Sequence, residues 1–163
     1  MGDCKNIHSK EKLLSKPALM REPTAQFDFV TLPLATKVRG ELEVPRASGL
    51  NWGQRPGREQ NQAYLAIPAY VQRSSFLPAP GVDFLLECDD GEIFKCVRAQ
   101  ANGKAIHTPE NNSLLGLYFR ERLGVLPGKS VTIIHLLKYG RTSVDVYKTS
   151  AFHYFLDFCQ SKR

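Results

Sequence analysis

VDFLLECDDGEIFKCVRAQ, residues 82–100, consists of two apolar-alternating runs joined at Asp90-Gly91. An Asp-Gly pair between such runs is the strongest short-range hairpin signal, because both turn positions need a positive φ. A two-residue turn there pairs Cys88 with Ile93. In that register Phe84, Leu86, Cys88, Ile93 and Val97 share one face with Lys95 as its polar exception, and this face is expected to be core. Asp83, Leu85, Glu87, Phe94, Cys96 and Arg98 occupy the other face, with Asp83 opposite Arg98 and in reach of an ion pair.

Working outward, FDFVTLPLA (27–35) and AYLAIP (63–68) read as strands, the first near an edge because of Pro33. SVTIIHLL (130–137) and TSVDVYKT (142–149) also alternate like strands, with LKYGR as the turn between them. AYVQRSSFL (69–77) predicts a short helix stopped by Pro78 and Pro80. SLLGLYFRERLG predicts a second, capped by Asn112 or Ser113 and ended by Gly124. AFHYFLDFC is apolar and is expected to cover one end of the core. The pattern is mainly β, a barrel or sandwich with two short helices and two long polar loops. Residues 1–25 read as a linker or flexible tail, 26–150 as the barrel, and 151–163 as a C-terminal segment packed on it.

With 163 residues and 42% hydrophobic content, one domain with an ordinary core is expected. No run of 18 apolar residues is present, so no membrane span is expected, and the polar start MGDCKNIHSKEK is unlike a secretory signal. The net charge of +6 favours a polyanionic partner. It is unevenly spread, since residues 113–163 carry 8 basic and 3 acidic groups. Cys4, Cys88, Cys96 and Cys159 form no CxxC pair and are read as thiols of a cytoplasmic protein.

Catalytic patterns are sparse. His8-Ser9-Lys10 matches only the first half of the HxK(x)4D signature of phospholipase-D-type phosphodiesterases, and Ser15 stands where the aspartate belongs. His107, His135 and His153 lie in no recognisable cluster, and Asp89-Asp90 reads as a turn. No phosphate loop is present. No catalytic centre, metal site, cofactor or small-molecule substrate is expected.

The two loops carry a different chemistry. Residues 48–62 offer Asn51, Trp52, Gln54, Arg55, Arg58, Gln60, Asn61 and Gln62. Residues 98–112 offer Arg98, Gln100, Asn102, Lys104, His107, Asn111 and Asn112. Arginine pairs with guanine O6 and N7, and asparagine or glutamine with adenine N6 and N7. Arg120, Arg122, Lys138 and Arg141 are candidate phosphate contacts. A loop as long as 48–62 inside a small domain is ordinarily disordered or a binding element.

SGLNWGQRPGREQNQAYLAIP, VRAQANGKAIHTPENNSLLGLYFRERLGV and LLKYGRTSVDVYK together resemble the C-terminal recognition domain of phospholipase-D-type type II restriction endonucleases, which is similar to the plant B-three DNA-binding domain. The likeness runs from about residue 28 to about 149. It implies a seven-stranded pseudobarrel with two short helices, whose two arms grip double-stranded DNA in the major groove. Residues 48–62 and 98–112 correspond to those arms. The resemblance also implies a bacterial restriction-modification system and a separate phospholipase-D-type nuclease domain or subunit that cuts without metal. Two other readings are a protein-interaction barrel and a complete nuclease using His8 and Lys10.

Overall fold

The computed structural model describes residues 27–160. The linker reading of 1–25, with His8, Lys10 and Cys4, lies outside them. Nine strands are present among the described residues: β1 (Phe29–Pro33), β2 (Thr36–Val38), β3 (Glu41–Glu43), β4 (Leu65–Ala66), β5 (Phe84–Cys88), β6 (Ile93–Ala99), β7 (Ala105–His107), β8 (Ser143–Ser150) and β9 (His153–Asp157). Seven form one sheet in the order β1-β8-β9-β5-β6-β7-β4, while β2 and β3 make a separate hairpin. The terminal strands β1 and β4 contact each other, so the sheet curls into a nearly closed barrel. All pairings are antiparallel except β5 with β9. The expected seven-stranded, mainly β pseudobarrel is present.

Three α-helices accompany it among the described residues: α1 (Ala69–Gln72), α2 (Leu114–Leu123) and α3 (Ile133–Tyr139). The third replaces the strand expected at 130–137. Ile133, Leu136 and Tyr139 face inward at helical spacing, while Ile134 and Leu137 are exposed. A capping box opens the helix, with the Thr132 amide donating to His135 Nδ1 at 2.9 Å, and Gly140 at φ 98° ends it. Two adjacent apolar pairs, Ile133-Ile134 and Leu136-Leu137, suit either period, and the caps decide.

The 82–100 hairpin exists, but in a register one residue from the expected one. Phe84 pairs with Cys96 and Leu86 with Phe94. The Cys88 amide donates to Glu92 O at 2.7 Å, and the Gly91 amide donates to Cys88 O at 2.9 Å. The connection is thus a three-residue loop, Asp89-Asp90-Gly91, with the glycine left-handed at φ 91°. A slip of one residue exchanges the faces of a strand. Phe94 and Cys96 are therefore buried, and Ile93 is 59% exposed. Asp83 meets Lys95 at 3.6 Å rather than Arg98.

Asp89 explains the longer turn. It is fully buried and accepts from Arg122, from the Tyr118 hydroxyl at 2.5 Å and from the Phe158 amide at 2.7 Å. Arg122 also donates to the Tyr139 hydroxyl at 2.8 Å and to Phe158 O at 2.9 Å. One ion pair therefore joins the hairpin turn, α2, α3 and the chain after β9. Burial works against the charge on Arg122, but Tyr118 and Asp89 outweigh it and raise its pKa. Asp89, Asp157 and Cys159 bring metal-ligand atom types within 4.8 Å of one another, but the Arg122 guanidinium already supplies the cation against Asp89.

Two further expectations are corrected. Residues 153–157 do not cover an end of the barrel, because β9 is inserted between β8 and β5. Cys88 and Cys96 are buried free thiols, whereas Cys159 is disulfide-bonded. Disulfides depend on Cα atoms meeting within about 7 Å, which spacing along the chain does not reveal.

Removing the Asp89 carboxylate strands a buried guanidinium. Asp89→Ala should cost about 3–5 kcal/mol, seen as a large drop in the urea midpoint.

Candidate nucleic-acid interface

The loop at 48–62 is built on a 3-10 helix, Gly49–Gln54, that buries Leu50, Asn51, Trp52 and Gly53. The chain then doubles back, and the Gly53 amide donates to Gln62 O at 2.8 Å. A Cβ on Gly53 would lie 2.2 Å from Glu59 O, so only glycine fits this close approach. Asn51 is 1% exposed. Its Nδ2 donates to Pro45 O and Val131 O, and its Oδ1 accepts from the Val131 amide, all at 2.8 Å. Gln54 donates to Gln60 O at 2.9 Å and accepts from Ser130 at 3.3 Å. The returning limb rests on α2, where a Cβ on Gly116 would lie 1.6 Å from Asn61 O. Arg120, also 1% exposed, donates to Lys129 O, Gly116 O and Gln60 O at 2.9, 3.1 and 3.4 Å.

Residues 55–60 remain exposed at the tip. The Arg58 guanidinium lies 3.9 Å above the Trp52 ring centroid and donates to Gln62 Oε1 at 2.9 Å. Arg55 donates to Ala47 O at 2.8 Å. Asn61 and Gln62 are half-buried, and Asn61 Oδ1 accepts from the Gly128 amide at 2.6 Å.

The loop at 98–112 contains β7, which the sequence reading did not anticipate. It pairs with β6 on one side and β4 on the other. Arg98 is 7% exposed and pins this loop by donating to Gly103 O, Pro78 O and Gln72 O at 3.0, 3.2 and 3.3 Å. Gln100, Asn102 and Lys104 are exposed. Asn102 at φ 62° occupies a left-handed conformation that asparagine tolerates. Gln100, at φ 65° and ψ 176°, occupies a region that is essentially glycine-only. Asn111 Oδ1 accepts from the Ser113 amide at 3.0 Å. Asn112 Oδ1 and His107 Nδ1 are buried without a protein partner.

The two loops meet. Trp52 packs against Tyr64 at 5.4 Å and His107 at 6.2 Å between ring centroids. The Ala63 amide donates to Asn112 O at 3.1 Å, and the Ile67 amide to Lys104 O at 2.9 Å. Leu65 pairs with Ile106 across the β4–β7 ladder. Both loops therefore join the short β4–β7 ladder, the tip at 55–60 leading into its Leu65–Ile106 end and the tip at 100–104 into its Ala66–Ala105 end.

Three of the four proposed phosphate contacts are engaged internally. Arg120 and Arg122 are buried. Arg141 pairs with Asp145 at 3.2 Å and Asp157 at 3.4 Å. Lys138, on α3, is exposed. Asn51, Trp52 and Arg98 likewise lie beneath the loops they were expected to arm. The surface set of the loops is Arg55, Arg58, Gln60, Gln100, Asn102, Lys104 and Asn111, the last already bonded to the Ser113 amide. Glu59 and Ser113, passed over in the sequence, occupy the junction of the loops; a single acid among amides was the available signal.

The family model described as NgoFVII C-terminal B3-like DNA-binding domain matches residues 23–150. No curated protein matches the chain.

Gly116→Ala should push the first loop off α2, costing about 1–3 kcal/mol and shifting the emission of Trp52. Burial holds the His107 imidazole below its ordinary 6.5. The unfolded chain then binds more protons than the folded one below about pH 6.5, so stability falls as pH drops toward the folded-state value. His107→Gln should remove that part of the slope in urea midpoints measured against pH.

Proposed function

Because the chain belongs to the family of NgoFVII C-terminal B3-like DNA-binding domains, we propose that it reads a specific double-stranded DNA sequence with two arms, residues 48–62 and 98–112, in the major groove. Within this reading it serves as the target-recognition domain of a bacterial, cytoplasmic type II restriction endonuclease. The phosphodiester is cut by a separate phospholipase-D-type nuclease domain or subunit. The carrying observation is the set of exposed guanidinium and amide groups on the tips at 55–60 and 100–104, which flank the short β4–β7 ladder. Those groups match the paired donors and acceptors of guanine and adenine in the major groove.

The roles divide by burial, except at Asn111, which is exposed but bonded to the Ser113 amide. Arg58, Gln60, Gln100 and Asn102 are proposed to face bases, with Arg55 and Lys104 beside them. Asn51, Trp52, Gln54, Arg98, Asn61, Gln62, His107, Asn111 and Asn112 hold the arms in shape, and Lys138 meets phosphate. The strained backbone of Gln100 supports this division, because such strain persists at sites that position a functional group.

A selection from randomised duplexes with the purified chain tests the reading, and recovery of a defined site is expected. Arg58→Ala or Asn102→Ala should cost about 1–3 kcal/mol of discrimination with a smaller effect on unrelated duplexes. Equal loss of both kinds of binding contradicts a base-reading role. Lys138→Ala should weaken all duplexes alike and lower the salt slope by about 1. Gln100→Gly should relieve about 1–3 kcal/mol of strain, raising the urea midpoint while discrimination falls.

A further inference from the structure

Glu59 is the single acid of residues 48–62, and it sits at the exposed tip of the first arm. A carboxylate there is repelled by every phosphate of an approaching duplex. Its oxygens nevertheless make a closed set of contacts. Oε1 accepts from Asn61 Nδ2 at 2.8 Å, and Oε2 accepts from the Asn61 amide at 2.9 Å and from the Ser113 hydroxyl. Slight burial works against ionisation, but the bonds from Ser113 and Asn61 prevail and lower the Glu59 pKa.

Ser113 directly precedes α2, and its amide donates to Asn111 of the second arm. Asn61 in turn accepts from the Gly128 amide. A chain of hydrogen bonds therefore runs from the α2–α3 connection through the tip of the first arm to the end of the second. Trp52 against His107 is a second, apolar tie between the arms. Arg120, buried beneath the loop, is a basic side chain whose charge acts on Glu59, but among the described residues no basic side chain pairs with Glu59 at ion-pair distance.

We propose that Glu59 is a specificity-determining positioning residue: its carboxylate sets the first arm against the second, and its charge penalises duplexes that cannot engage both. This rests on the DNA-reading function proposed above. The carboxylate acts through Asn61 and Ser113 and touches no base.

The test compares Glu59→Gln, Glu59→Asp, Ser113→Ala and the Glu59→Gln/Ser113→Ala double variant with the parent chain. Affinity is measured for the selected duplex and for an unrelated one at fixed salt, alongside Trp52 emission and the urea midpoint. Glu59→Gln should lose about tenfold in discrimination, the scale of one base contact, while binding the unrelated duplex as well as the parent or better. Glu59→Asp, which keeps the charge but not the reach, should lose discrimination without that gain. The double variant should be no worse than Glu59→Gln alone, as expected of residues acting through one contact.

Unchanged discrimination in Glu59→Gln overturns the proposal. So does a loss confined to one C·G position, which would mean direct reading of the cytosine amino group. A parallel fall of both affinities with the urea midpoint would reduce Glu59 to a folding role and equally overturn it. A parent chain with no preference among duplexes overturns the DNA-reading function itself, a result separate from these.

Discussion

A long loop laid against a barrel carries backbone carbonyls that no strand ladder can satisfy, and leaving such groups buried and unpaired is costly. In this protein buried polar side chains meet that demand. Asn51 serves Pro45 and Val131, Arg98 serves Gly103, Pro78 and Gln72, and Arg120 serves Lys129, Gly116 and Gln60. Arg122 does the same for Phe158 while neutralising Asp89. Remove these groups and the loops lose the partners that give them one conformation.

The same constraint divides the loops into two layers. Beneath lies a set of polar groups turned inward, together with Trp52 and His107. Above lies a short set of guanidinium, amide and ammonium groups with room to meet a partner. Rigid mounting matters for recognition, since paired hydrogen bonds to a base tolerate little displacement. Gly53 and Gly116 contribute by allowing backbone to approach backbone, which brings the first loop flush with α2. The basic excess of the C-terminal third is correspondingly smaller at the surface than in the sequence, because Arg120, Arg122 and Arg141 face inward or toward acids.

Legibility in the sequence followed the locality of each signal. Strands β1, β5, β6 and β8 and helix α2 announced themselves through alternation, helical spacing and caps, all within a dozen residues. The register of β5 and β6 did not, because Asp89 is drawn inward by Arg122, which lies 33 residues away. The period of 130–139 was ambiguous until Thr132 and Gly140 acted as caps. β7 and β9 are invisible for the same reason as the register: Ala105–His107 and His153–Asp157 become strands through the neighbours they pair with.

By itself the sequence determined a mainly β domain, two polar loops of unusual length at 48–62 and 98–112, and the family to which these belong. The fold class and the loops follow from composition and local pattern, and the family from the long motifs that match it; folding alters none of these. Which arginine or asparagine faces outward was decided only by the tertiary structure. Identical side chains serve as carbonyl partners in the interior and as hydrogen-bonding groups at the tip, and burial, a property of the whole fold, alone separates Arg98 from Arg58.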